Sequence, residues 1–338
     1  MKMQPKAEMA QLGGKQTALL LKPGVLQQVL AFASLIVLIL VFTFSSSNFF
    51  QFSNIVGILL STAVTGVLAL GSTFVIITGG IDLSVGTVMT LSAVMTGVFI
   101  TYWGLPVPLG IVGGILTGAV CGLLSGVMVA RLKIPPFIAT LAMMMIAKGL
   151  ALVISGTKPI YFNDDPVFSE VSQGSFFDEI IPGFAIPNAV VIFFIAAIIG
   201  SILLSRTIVG RYNFALGSNE EATRLSGVNV NYWKIVIYTI TGIFTGLAGI
   251  LIASRLNSAQ PALGSGYELE AIAAVVIGGT SLSGGKGTIV GTVIGALIMS
   301  VLTNGLRILS VPQEWQTVVV GIVILLAVYA DILRRRKA

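Results

Sequence analysis

The sequence contains no histidine and only one cysteine, Cys121, in 338 residues. Without histidine the chain lacks the commonest general base and the commonest metal ligand. A single cysteine excludes a disulfide within the chain and leaves the redox compartment unread. Charge is also scarce: 9% of residues are charged against 55% hydrophobic, and the mean hydropathy is +1.00. Soluble domains carry about a quarter charged residues, so this chain could not cover a water-facing surface. It reads as a polytopic membrane protein. Open sheets cannot satisfy their backbone in lipid, so the fold class expected is all-α.

Long apolar runs are what the chain has. Ten segments stand out, at about 25–45, 55–78, 84–103, 107–130, 136–155, 188–205, 235–254, 270–285, 287–305 and 316–333. The first follows lysines and lacks a small-residue cleavage site, as a retained signal anchor would. Orientation follows from Lys and Arg in the connections. With ten crossings, both termini share a side with 14 of the 19 basic residues. These include Lys2, Lys6, Lys15, Lys22, Arg206, Arg211, Arg224, Lys234 and the run Arg334 to Lys337. That side is expected to be the cytoplasm. Lys158, Arg255 and Arg307 fall on the other side, with an acidic loop at 156–187 that carries Asp164, Asp165, Glu170, Asp178 and Glu179. The expected organisation is a cytoplasmic tail at 1–24, one transmembrane domain at 25–333 with a cytoplasmic loop at 206–234, and a basic tail at 334–338. The pI near 9.5 reflects this topology. Its basic residues are scattered, not gathered on one face, and no nucleic-acid partner is expected.

Two stretches echo each other: GGIDLSVG at 79–86 and GGTSLSGG at 278–285. The second lies in a segment whose apolar part, Ala271 to Gly279, makes about 14 Å of helix, short of about 30 Å of hydrocarbon. Broken helices at corresponding places in two halves point to a transport route. Ser84, Ser281 and Ser283 join Asp82 as candidates for lining it. Counting crossings puts both stretches near the cytoplasmic side, whereas an inverted repeat would place them on opposite sides.

Gly110, Gly114, Gly118, Gly122 and Gly126 recur every fourth residue and make a smooth face for tight helix packing. TSLSGGKGT at 280–288 lacks the glycine four residues ahead of Gly-Lys that a phosphate-binding loop requires. No nucleotide, metal or catalytic site is therefore expected in this chain.

The loop 206–234 is the most informative part. Asn219 can cap a helix, Glu220 and Glu221 would sit in its positive first turn, and Gly227 can end it at a left-handed position. EATRLSG at 221–227, with Ile237 beyond, resembles the EAA–G–I docking motif of ABC importer permeases, although the usual Leu-Pro ending is absent. ITGGIDLSVG, ALGSNEEATRLSGVNVNYWKI and SAQPALGSGYELEAIAAVVIGGTSLSGGKGTIVGTVIGALI resemble the permease subunits of bacterial monosaccharide importers, above all the ribose type. The likeness runs from about residue 30 to 330. It implies a ten-helix permease of the inner membrane, paired with a second permease chain. It also implies a separate ATPase that binds ATP and magnesium, and a periplasmic sugar-binding protein. Asn219, Glu220, Glu221, Ala222, Arg224 and Gly227 would then form the ATPase-coupling element.

Asp82 admits three readings. It caps the helix that begins near Leu83, meets sugar hydroxyls in the path, or carries a cation in a secondary transporter. A lipid-facing carboxylate costs about 2.5–3.5 kcal/mol, so it should face protein, cavity or water. Ser281 at the matching place favours capping, which Ser and Asp share.

Overall fold

The computed structural model describes residues 23–162, 166–180 and 185–336. The expected tail through Lys22, Asp164, Asp165 and Lys337 lie outside them. Among the described residues, nine helices are long and apolar enough to cross a membrane. In chain order they are α1 (Pro23–Ser45), α2 (Phe52–Ile77), α3 (Val85–Gly97, continued by one wide turn through Tyr102), α4 (Val107–Ala130) and α5 (Pro136–Ile154). After a short surface segment come α8 (Asn188–Arg206), α11 (Val230–Leu256), α13 (Ile289–Ile308) and α14 (Gln313–Arg336). The chain is a multi-pass membrane protein. Proline in the first turn starts α4 and α5, where a missing N–H leaves nothing unpaired.

The eighth expected segment, 270–285, is not a crossing helix. Helix α12 (Tyr267–Ile277) has 11 residues, about 16 Å. Irregular backbone follows from Gly278 to Thr288, lodged against the end of α2, residues 217–218 and α13. Such backbone is tolerated at depth where protein surrounds it.

The glycines of α4 explain the closest helix pairing. A side chain at Gly118 would collide with the carbonyl of Gly242 on α11, and one at Gly122 with the carbonyl of Tyr238. Gly126 lies against Ile235, while Gly110 and Gly114 face Ile100 and Thr96 from α3 and its extension. Backbone thus meets backbone along α4 and α11, the close approach that small residues permit.

The 156–187 segment, expected as a loop, folds instead. It contains β1 (Ile160–Tyr161), α6 (Pro166–Gln173) and α7 (Phe176–Ile180). β1 pairs antiparallel with β2 (Ser258–Ala259), Ile160 opposite Ala259. A hydroxyl clasp holds α6 to α11. Ser172 Oγ donates to Leu251 O at 2.8 Å, and Ser254 Oγ donates to Phe168 O at 2.6 Å. Buried Phe162 and Phe168 lie 4.1 Å apart by ring centroids and supply the apolar contact that the acidic composition concealed.

The loop 206–234 holds two helices, one more than expected: α9 (Ile208–Ser218) and α10 (Glu220–Leu225). The ends of the bundle therefore differ. One carries the folded acidic segment, and the other carries α9, α10 and the basic residues Arg131, Lys133, Arg211 and Arg224.

Candidate translocation cleft and coupling junction

At the acidic end a cleft of about 810 Å3 opens between α2, α12, α13 and α14. Ser61 and Thr65 line it from α2, Tyr267 and Glu270 from α12, Arg307 from α13 and Gln316 from α14. Arg255, in the last turn of α11, also reaches it. Glu270 accepts from Thr65 Oγ1 at 3.5 Å, and Arg255 Nη1 donates to Ser61 Oγ at 3.3 Å. Both bonds are long, so the charged heads keep most of their bonding capacity. The neighbouring Glu268 turns back on itself instead. Its carboxylate accepts from Gly266 N at 3.0 and 3.1 Å and closes the start of α12.

None of the four residues read from the sequence as lining candidates borders this cleft. Asp82 is 5% exposed and Ser84 3% exposed, and they bond to each other. Asp82 Oδ1 accepts from Ser84 N at 2.8 Å and from Ser84 Oγ at 2.6 Å. The carboxylate does take a free backbone N–H, but three residues ahead of a helix that begins at Val85, not as the residue capping one at Leu83. Ser281 is buried in the Gly-rich loop, its N–H bonded to Lys286 O, and Ser283 is exposed. Ser281 caps nothing. Thr288 caps α13 by accepting from Gly291 N at 3.1 Å.

The two echoing stretches lie together at the basic end, so this pair of breaks is not inverted. Their helices terminate alike. Gly79 N donates to Ile76 O and Gly80 N to Val75 O. Likewise Gly279 N donates to Val276 O and Thr280 N to Val275 O. Gly79 (φ +79°) and Gly279 (φ +96°) occupy the left-handed position that ends both helices. The structural offset is 200 residues, one more than lettering suggests. In that register Asp82 corresponds to Leu282, not Ser281, which removes the capping parallel.

The breaks also touch. Gly285 N donates to Ile77 O at 2.9 Å, tying the Gly-rich loop to the end of α2. Gly217 of α9 lies against the same two groups, and a side chain there would collide with Ile77 O and Gly285 N. Three glycine-containing segments thus form one junction, with Gly217 three residues ahead of α10.

In α10, Asn219 Oδ1 accepts from Ala222 N at 2.9 Å. Gly227, at φ +83°, follows the helix end. Glu220 pairs with Arg224 Nη2 at 3.2 Å and with Lys234 Nζ of α11 at 2.6 Å, while Glu221 pairs with Arg224 Nη1 at 3.2 Å. Leu225 is 81% exposed at its tip. The helix is a short, pinned knob with an apolar point.

Comparison with known proteins places this architecture. A family model described as the permease component of branched-chain amino acid transport systems matches residues 54–328. The chain belongs to this permease family. It is 43% identical over 300 residues to the ribose import permease of Escherichia coli strain K12, covering 88% of this chain and 91% of that one. The ribose import permease of Bacillus subtilis strain 168 is 43% identical over 317 residues, 93% and 95% of the two chains. The fructose import permease of Rhizobium meliloti is 38% identical over 289 residues, 84% and 79% of the two chains. No solved structure gives a significant match. In this permease, α2 and α12 each run from the cleft to the junction, so the two regions share two helices. Arg255 and Arg307 were visible in the sequence only as charges at span ends. Their position in the last turn of apolar helices was the available signal.

Proposed function

We propose that this permease is the membrane subunit of an ATP-driven importer that carries a monosaccharide, ribose or a related pentose, into the bacterial cytoplasm. The observation that carries this reading is the near-full-length 43% identity to ribose import permeases. A permease of an ABC importer works with an ATPase and a substrate-binding protein. In this reading ATP and magnesium stay on the ATPase, the permease does no covalent chemistry, two copies pair in the inner membrane, and both termini face the cytoplasm.

The coupling element is α10, with Asn219, Glu220, Glu221, Ala222, Arg224 and Gly227. Its caps and ion pairs support a rigid body that a soluble partner can push. Motion of α10 passes through Gly217 to Gly285 and Ile77, where both breaks are held by backbone alone. The ends of α2 and α12 then move together, and with them the walls of the cleft.

The other reading is a secondary transporter that uses Asp82. Its carboxylate is engaged by Ser84 and stands apart from the cleft, which disfavours that role. Uptake of radiolabelled ribose into vesicles that hold the assembled importer separates the two. With ATP present and the proton and sodium gradients collapsed, uptake continues if the importer reading is right. Arrest under those conditions rejects it, and flux without either energy source points to a passive channel.

A further inference from the structure

The cleft gathers charged and polar groups from the ends of apolar helices. Glu270 supplies one carboxylate, Arg255 and Arg307 two guanidinium groups, and Thr65, Tyr267 and Gln316 hydroxyls and an amide. Among the described residues, no ion pair involves Glu270, Arg255 or Arg307. Glu270 and Arg255 are half-buried and Arg307 is exposed; charged groups converging on one open space with spare bonding capacity point to a visiting partner.

The donor and acceptor pattern says which partner. An ionised carboxylate only accepts and a guanidinium only donates. A sugar hydroxyl does both, so one ring can offer two neighbouring O–H groups to Glu270 and oxygen lone pairs to the arginines. Val64, Leu263 and Val320 line the same space and suit the C–H face of such a ring. A cation would meet two positive charges against one negative. The long bonds from Thr65 and Ser61 hold the charged heads in place without saturating them. Several modest contacts, rather than one tight clamp, also suit a solute that must leave again.

Resting on the sugar-import reading, we propose that this cleft is a transient site for a neutral polyhydroxylated ring. Glu270 is its central acceptor, and Arg307 and Arg255 are its flanking donors. α12 brings Glu270 to the ring, and the same helix ends at the junction below. Displacement of α12 therefore withdraws the acceptor as the lower end opens. Occupancy and passage are linked through one short helix.

The test uses the full-length permease in lipid nanodiscs, with saturation-transfer NMR of D-ribose, alongside ribose uptake by the assembled importer. Wild type should give saturation of ribose ring protons and none for L-leucine. Glu270→Gln and Arg307→Gln should each weaken the ribose signal about tenfold, the scale of one charge-assisted hydrogen bond. Thermal stability of the assembled importer should stay unchanged, and Gly57→Ala, where nothing lies within 4 Å, should keep both the ribose signal and ligand-independent ATP hydrolysis. Both variants keeping the wild-type signal overturns the site, as does saturation of L-leucine in place of ribose. An importer that takes up ribose while its permease gives no signal overturns the site but leaves the functional reading standing. An importer that takes up neither ribose nor any other pentose overturns the functional reading and the site with it.

Discussion

The cleft and the junction are built from opposite materials. The cleft uses long charged side chains, loosely bonded, around open space. The junction uses glycine backbone at van der Waals contact, with the amide of Gly285 on the carbonyl of Ile77. A side chain can turn about its rotatable bonds and so adapts to a visitor, but it transmits displacement poorly. Closely packed backbone has no such slack, because interiors are nearly incompressible. One region is therefore suited to yielding and the other to pushing, and α2 and α12 belong to both.

Breaking the push should have the largest effect. Gly217→Val places atoms on Ile77 O and Gly285 N, and overpacking of this kind costs about 1–3 kcal/mol. Uptake should fall below about a tenth of wild type while ATPase binding persists, as measured by co-purification and vesicle transport. Gly57→Ala, where nothing lies within 4 Å, is the control. Wild-type uptake by Gly217→Val would end the claim that the junction transmits force.

Glu221→Lys comes next. It removes the Arg224 ion pair and reverses the charge in the positive first turn of α10, worth about 0.3–1 kcal/mol by the helix dipole alone. The variant should insert normally and lose ATP-driven uptake severalfold. Normal uptake would count against α10 as the coupling element. Asn219→Ala removes only the cap at Ala222 N, about 1 kcal/mol. Faster amide exchange across Glu220–Leu225 and a milder transport loss are expected, and unchanged exchange would show the cap to be idle.

Asp82→Asn should do least. Asparagine keeps an oxygen for Ser84 N, so uptake should remain within about twofold of wild type, well under 1.4 kcal/mol. A complete loss would move the chemistry from the cleft to the other end and revive the ion-coupled reading.

These regions also differ in how far the sequence disclosed them. The α10 cap was legible because its parts are local: Asn219, Glu220 and Gly227 lie within nine positions, and their spacing follows helix geometry. The two Gly-rich breaks were legible as breaks. Their contact was not, since it depends on α2, α9 and the loop after α12 meeting in space. Their register was misread by one residue because identical letters were matched, whereas helix ends are set by which glycine turns left-handed. The cleft was hidden for the plainest reason. Its lining comes from five helices between Ser61 and Ile324, and no local pattern connects Thr65 with Glu270 or either of them with Arg307. The acidic segment was taken for a loop because its hydroxyl clasp and its Phe162–Phe168 pair join it to a helix about 80 residues away.

That clasp makes α11 a beam. Its 27 residues span about 40 Å without a proline, and about 30 Å separates Ser254 under α6 from Lys234, which grips Glu220. The folded acidic segment on one face and the α10 knob on the other are therefore both fastened to a single helix.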